Sequence, residues 1–153
     1  MTGENERIER DEMVEFKSHV GNTIVLPSQW SVEDNGANLE ISSPDGAAQI
    51  YVYTYTTEGS GSLADFQKTM LSDFQGGWEF SDWEGIEIGG LAAQKRHLDA
   101  KDDSTPAFRI YVLQNGECYH ALFITAPPTI MFLNGDFYEE IVTTFRGIAA
   151  IRR

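Results

Sequence analysis

A single cysteine stands among 153 residues, so no intramolecular disulfide can staple this chain. Cys118 falls within an alternating apolar segment and reads as a buried thiol rather than half of a redox pair. Cations are scarce as well: 11 Lys and Arg against 24 Asp and Glu leave a formal charge of −13. Such a field repels phosphate backbones and anionic bilayers, which excludes nucleic acid as a natural partner and argues against a membrane surface. No apolar run approaches the roughly 20 residues that cross a bilayer, so no membrane insertion is expected. The first twelve residues lack the apolar stretch of a secretory signal, which points to a cytoplasmic protein, although a secreted or periplasmic chain trimmed of its leader would read the same.

Catalytic signatures are missing too. No Ser occupies a Gly-x-Ser-x-Gly turn, and Gly76-Gly77 and Gly89-Gly90 match no phosphate-binding loop but suit a helix stop and a hairpin turn. Asp102-Asp103 lies in a solvated turn, a poor place for acid/base work. The expectation is a protein that is not an enzyme, with no cofactor and no metal.

What is present is a globular chain. With 41% hydrophobic and 12% aromatic residues it can bury one core, and no repeat or linker divides it. Residues 1–12 read as a flexible acidic lead-in and residues 13–153 as a single domain. Short β segments follow one another: Met13 to Val20, Thr23 to Leu26, Trp30 and Val32, Leu39 to Ile41, and a long strand from Ala48 to Thr56. In that long strand Tyr51, Tyr53 and Tyr55 share one face. Ser62 with Asp65 caps a helix whose apolar positions are Leu63, Phe66, Met70, Leu71 and Phe74. Trp78 and Trp83 lie amid acids and glycines, and a half-apolar strand runs from Leu91 to Asp99. A second helix is expected near Asn134, with Asp136 as its N-cap and Phe137, Ile141, Val142 and Phe145 on its apolar face.

The strongest local signal is Asn115-Gly116 between the alternating segments Ala107 to Leu113 and Cys118 to Ala126. A two-residue turn there sets Leu113 opposite Cys118 and Tyr111 opposite His120. One face of this hairpin, with Phe108, Ile110, Val112, Tyr119, Ala121 and Phe123, reads as continuous core. The other, with Arg109, Tyr111, Leu113, Cys118, His120 and Leu122, is mixed and draws attention as a candidate for function.

Aromatic side chains ringed by charge suit protein recognition. The candidate partner-binding residues are Tyr51, Tyr53, Tyr55, Trp78, Trp83, Arg109, Tyr111 and His120, each with a structural alternative in the core. An acidic protein favours a basic polypeptide segment as partner. The alternative is a ligand or metal site on the strand face carrying His97, Cys118 and His120, with Asp99 near, although no compact ligand motif is present.

The order of these elements resembles the PsbP/Mog-like superfamily, which includes DcrB-like proteins and type VI secretion effector-adaptor domains. The likeness spans about residues 16 to 148 and rests on Leu26-Pro27 followed by Trp30, the Ser43-Pro44-Asp45-Gly46 turn, Ser62-Leu63-x-x-Phe66, Gly89-Gly90-Leu91-Ala92-Ala93, the hairpin, and Ile141-Val142-x-x-Phe145. It implies an α+β fold, a single antiparallel sheet with helices packed on both faces, an α/β/α sandwich. Members are mostly non-enzymatic and bind proteins such as photosystem subunits, a small GTPase of nuclear import, or secreted effectors. The resemblance therefore implies an adaptor, chaperone or immunity protein linked to a bacterial secretion system, with a secreted effector as one candidate partner. The polar, leaderless N-terminus departs from the lipoprotein members.

Overall fold

The computed structural model describes residues 12–74 and 76–151, so the N-terminal segment read as a flexible lead-in lies outside the described residues except for Glu12. Among the described residues ten strands and two helices follow in the order β1 (Met13–Lys17), β2 (Thr23–Pro27), β3 (Ser31–Asp34), β4 (Asn38–Ser42), β5 (Gln49–Thr56), α1 (Leu63–Leu71), β6 (Trp78–Phe80), β7 (Glu84–Ile88), β8 (Leu91–Ala100), β9 (Ala107–Asn115), β10 (Cys118–Ala126) and α2 (Pro128–Thr143). The main sheet is antiparallel throughout, in the order β3-β4-β5-β10-β9-β8-β6, with β7 also pairing β8; β1 and β2 form a separate ribbon. The β9–β10 hairpin sits in the middle of the sheet, as its apolar alternation requires.

One helix covers each face. The larger core lies under α2 and the β1–β2 ribbon and gathers Ile24, Leu26, Leu39, Ile41, Ile50 and Val52 with Tyr111, Leu113, Leu122, Ile124 and the inner positions of α2. A smaller core under α1 gathers Phe66, Leu98, Ile110, Val112, Tyr119, Ala121 and Phe123. The hairpin face that reads as mixed in sequence is thus the face of the larger core, with Tyr111 its bulkiest fully buried side chain.

The hairpin register differs from expectation by two residues. Cys118 pairs with Asn115, His120 with Leu113 and Leu122 with Tyr111, which makes Gly116-Glu117 the two-residue loop. A turn centred on Asn115-Gly116 needs positive φ at both positions, whereas only Gly116 has it, at 56°, which is the requirement of a type II′ turn. Asn115 stays extended, and its side-chain amide donates to the Gly147 carbonyl at 2.8 Å. A shift of two leaves every side chain on its expected face.

The second helix also departs from expectation. It begins at Pro128, two turns before Asp136, with proline at the first helical position and no side-chain cap. Proline tolerates that position because the first amide of a helix has no intrahelical partner. Pro127-Pro128 therefore ends the hairpin and starts the helix at once, and the early start places Phe132 and Leu133 on a helical surface, 88% and 67% exposed. α1 follows its expected signals: the Ser62 hydroxyl accepts from the Asp65 amide, and the Asp65 carboxylate accepts from the Ser62 amide. Among the described residues no helix is long and apolar enough to cross a membrane.

Candidate functional site

β5 turns Ile50, Val52 and Thr54 into the larger core and Tyr51, Tyr53 and Tyr55 to the opposite face. α1 has only nine residues and rests mainly against β9 and β10, so it closes the middle of that face and meets β5 only along its edge, through Phe66 and Tyr55. Tyr53 meets Phe123 edge-on at 5.6 Å, and Tyr55 meets Phe66 at 5.6 Å. The three rings still remain open to solvent: Tyr51 and Tyr53 are half-buried and Tyr55 is 40% exposed. A groove of about 330 Å³ runs between them and Thr69, Met70, Asp73 and Phe74 beside α1.

Acids extend this surface across the sheet. The register sets Glu40 directly opposite Tyr51 and Glu33 opposite Glu40, both exposed, with Asn38 opposite Tyr53. Burial raises the Tyr51 and Tyr53 hydroxyls above the ordinary phenol value, and the nearby Glu40 charge pushes the same way. The Tyr51 hydroxyl donates to Gln49 Oε1. The arrangement offers neutral aromatic rings with polar tips beside two free carboxylates, a surface suited to apolar side chains flanked by cations.

The remaining candidates lie elsewhere. Trp78 is a wall of the smaller core: its indole donates to the Pro106 carbonyl at 2.8 Å, and its ring meets Phe74 and Phe108. Trp83 and Phe80 lie 5.6 and 5.1 Å from the Arg96 guanidinium, which donates through Nε to the Ser81 carbonyl. That cluster occupies the β6–β7 end of the sheet, away from the tyrosines.

Arg109, Tyr111 and His120 require correction as surface residues, because α2 and the C-terminal segment cover them. The Tyr111 hydroxyl donates to Glu139 Oε1 at 2.7 Å, and Lys95 Nζ reaches the two Glu139 oxygens at 3.0 and 3.2 Å. Arg109 lies 3.5 Å from Asp136 and 4.0 Å from Glu139, and fits beneath the helix because Gly135 has no side chain there. Burial and the Glu139 charge hold the Tyr111 hydroxyl far above the ordinary phenol range. Burial alone would raise the Glu139 carboxyl, but hydrogen bonds from Tyr111 and Lys95 outweigh it and keep the group below the usual carboxylate range. This network joins helix to sheet.

His120 is a fully satisfied core histidine. Its Nε2 lies 2.9 Å from the Ile148 carbonyl, which can only accept, so Nε2 carries the proton and Nδ1 accepts from the Thr54 hydroxyl at 2.9 Å. The Asn22 amide donates to the same hydroxyl, while its carbonyl accepts from the Ile148 amide. Burial lowers the His120 imidazole below the usual histidine value.

The His97, Cys118 and His120 constellation is not brought together. His97 pairs with Arg109, which pairs with Ile124, so His120 stands four residues farther along the sheet, about 13 Å by strand rise. Among the described residues no group of three or more His, Cys, Asp or Glu could hold a metal ion.

The fold and its open face define a class: an α+β sandwich of the PsbP/Mog-like fold with one half-covered sheet surface. The cyanobacterial PsbP (CyanoP) of Synechocystis sp. PCC 6803 superposes with a TM-score of 0.65 at 12% identity, covering 89% of this chain and 92% of that one. The Ran-binding protein Mog1p of Saccharomyces cerevisiae gives 0.55 at 13% identity, with 88% and 95% covered. LpqN of Mycobacterium tuberculosis, a protein involved in cell envelope biogenesis, gives 0.54 at 15% identity, with 92% and 94% covered. At such identities the likeness is one of fold. No protein-family model matches the sequence, and no curated protein matches it.

Proposed function

We propose that this chain is a non-catalytic protein-binding module that seats a basic polypeptide segment on the open half of its sheet. The observation that carries the reading is the pairing of Tyr51 with exposed Glu40 at the place where α1 leaves the sheet uncovered. Aromatic rings supply contact area at low entropic cost, and unpaired carboxylates beside them select cationic flanks. A structural neighbour that binds a protein, the Ran-binding Mog1p, is consistent with the reading. Within it, an adaptor, chaperone or immunity role linked to a bacterial secretion system rests on the resemblance of sequence and fold, with a secreted effector as the partner it implies. A cytoplasmic site of action is part of the same proposal.

The test is affinity capture from the native host followed by mass spectrometry, run in parallel with the wild type and with Glu33→Lys/Glu40→Lys, a change at two exposed positions. A partner captured by the wild type and lost from the folded variant supports the proposal. An identical set of partners for both removes this face from it.

A further inference from the structure

The opposite side of the molecule carries two exposed apolar residues, Phe132 and Leu133, beside Trp30, Ile130 and Phe137, which are themselves only partly buried against the larger core. Along α2 the residues Met131, Gly135, Tyr138, Ile141 and Val142 point inward, while Phe132 and Leu133 point away. Leu133 stands three residues after Ile130 and four before Phe137, so the three form one helical stripe. Ile130 and Phe137 in turn line a groove of about 370 Å³ closed on its other side by Trp30, Pro27 and Pro44. The groove is at the small end of ligand-sized clefts, enough for one or two large side chains. Exposed Leu133 extends the stripe of Ile130 and Phe137 that lines the groove, and exposed Phe132 stands next to it in sequence; together they are a concentration of apolar surface that folding alone does not require.

Among the described residues the exposed charges around it are acidic. Asp45 lines the groove, and the Ala47 amide and Ser43 hydroxyl hold its carboxyl below the usual range. Glu140 and Asp136 stand on the exposed face of the helix, Asp136 with Arg109 at 3.5 Å as its partner beneath. Among the described residues no Lys or Arg lines the groove. A second copy of this chain would bring the same acids and a charge of −13 against these, which opposes self-association.

We propose that the α2 surface formed by Phe132, Leu133 and the Trp30 groove is a second docking site, which takes an amphipathic helix whose apolar residues are flanked by lysine or arginine. It lies on the opposite face of the sheet from Tyr53, so it stands or falls independently of the tyrosine surface. Two such faces let one chain hold two segments of a partner at once, with the second contact strengthened by effective concentration.

The experiment is a titration of the isotopically labelled full chain with a synthetic helical peptide bearing leucine at i, i+3, i+4 and i+7 and lysine elsewhere, followed by amide and indole chemical shifts. Saturable shifts at the Trp30 indole and across Ile130 to Phe137, with affinity at least ~tenfold weaker for Phe132→Ser/Leu133→Ser, support the site. Both replaced residues are solvent-exposed, so the fold is retained, and the unchanged spectrum of the β-sheet verifies it. A peptide with glutamate in place of lysine should give no shifts there; equal binding of that peptide overturns the charge argument and the proposal. Shifts confined to Tyr51, Tyr53 and Tyr55 overturn it while leaving the tyrosine surface standing. Sedimentation showing a dimer that the double variant dissolves assigns the face to a second copy, and shifts produced equally by zwitterionic vesicles assign it to lipid; either result overturns the proposal.

Discussion

The Tyr111 hydroxyl donates to Glu139 Oε1 at 2.7 Å from the floor of the larger core, and Lys95 holds the same carboxylate from the neighbouring strand. Tyr111 is wholly buried and Glu139 mostly so, so the part-buried bond anchors α2 to β9. A hydrogen bond to a charged group contributes about 1.5–3 kcal/mol. Tyr111→Phe keeps the ring and removes only this bond, so urea unfolding should show a loss of that size. Partner capture by the folded variant should be unchanged, since the residue is not on the open face.

Gly147 and His120 are packed so closely that a methyl group between them has no room: a Cβ on Gly147 would sit 2.4 Å from His120 Nε2. The imidazole cannot move aside, because Thr54 and Ile148 hold both its nitrogens. Gly147→Ala should therefore destabilise by about 1–3 kcal/mol through overpacking. In a His120→Ala background the same change should cost much less, and a double-mutant cycle by chemical denaturation measures the difference.

The same histidine gives stability a pH dependence with a definite sign. Burial lowers the folded-state value of His120, and His97 is lowered by burial together with Arg109 and Lys95. As pH falls through about 6.5 the unfolded chain takes up protons that the folded chain refuses, so stability declines toward acid. The urea midpoint should be lower at about pH 5.5 than at about pH 7.5, and His120→Gln should remove part of that difference. A midpoint that rises on acidification contradicts the assignment of a neutral, doubly bonded imidazole.

Much of this architecture is legible in the sequence, because period-two alternation fixes which side of a strand is buried. Ile50, Val52 and Thr54 face inward and the tyrosines outward as that alternation requires, and Ser62 with Asp65 marks the start of α1. Two features are less legible. The turn at Asn115-Gly116 carries a strong dipeptide signal, yet the bond from Asn115 to Gly147, thirty-two residues away, keeps Asn115 in the strand. Pro127-Pro128 reads as a terminator, and the exposed pair Phe132 and Leu133 follows it, so the apolar periodicity of α2 emerges only after Asp136. Of the site, the tyrosine face is visible from strand parity alone. That Arg109, Tyr111 and His120 lie beneath a helix and the C-terminal segment is a tertiary fact, since a polar residue on a strand has the same pattern whether water or a buried network satisfies it.

Recognition through Glu33 and Glu40 should show in kinetics. Both are exposed, and a basic segment approaching them is steered by a field that salt screens within about 10 Å at 0.1 M. The association rate of the captured partner should fall as salt rises, with dissociation changing much less. Stopped-flow measurements across a salt series check this.

The open tyrosine face is the central claim, and one measurement reaches it most directly: the dissociation constant of the captured partner for Tyr53→Ala beside that for the wild type, with thermal unfolding of both proteins recorded. Tyr53 is half-buried at the centre of the face and meets Phe123 edge-on. Truncating an aromatic anchor at an interface costs about 2 kcal/mol or more, so affinity should fall by roughly thirtyfold while the variant remains folded. A folded Tyr53→Ala protein that binds the partner as tightly as the wild type would contradict the account.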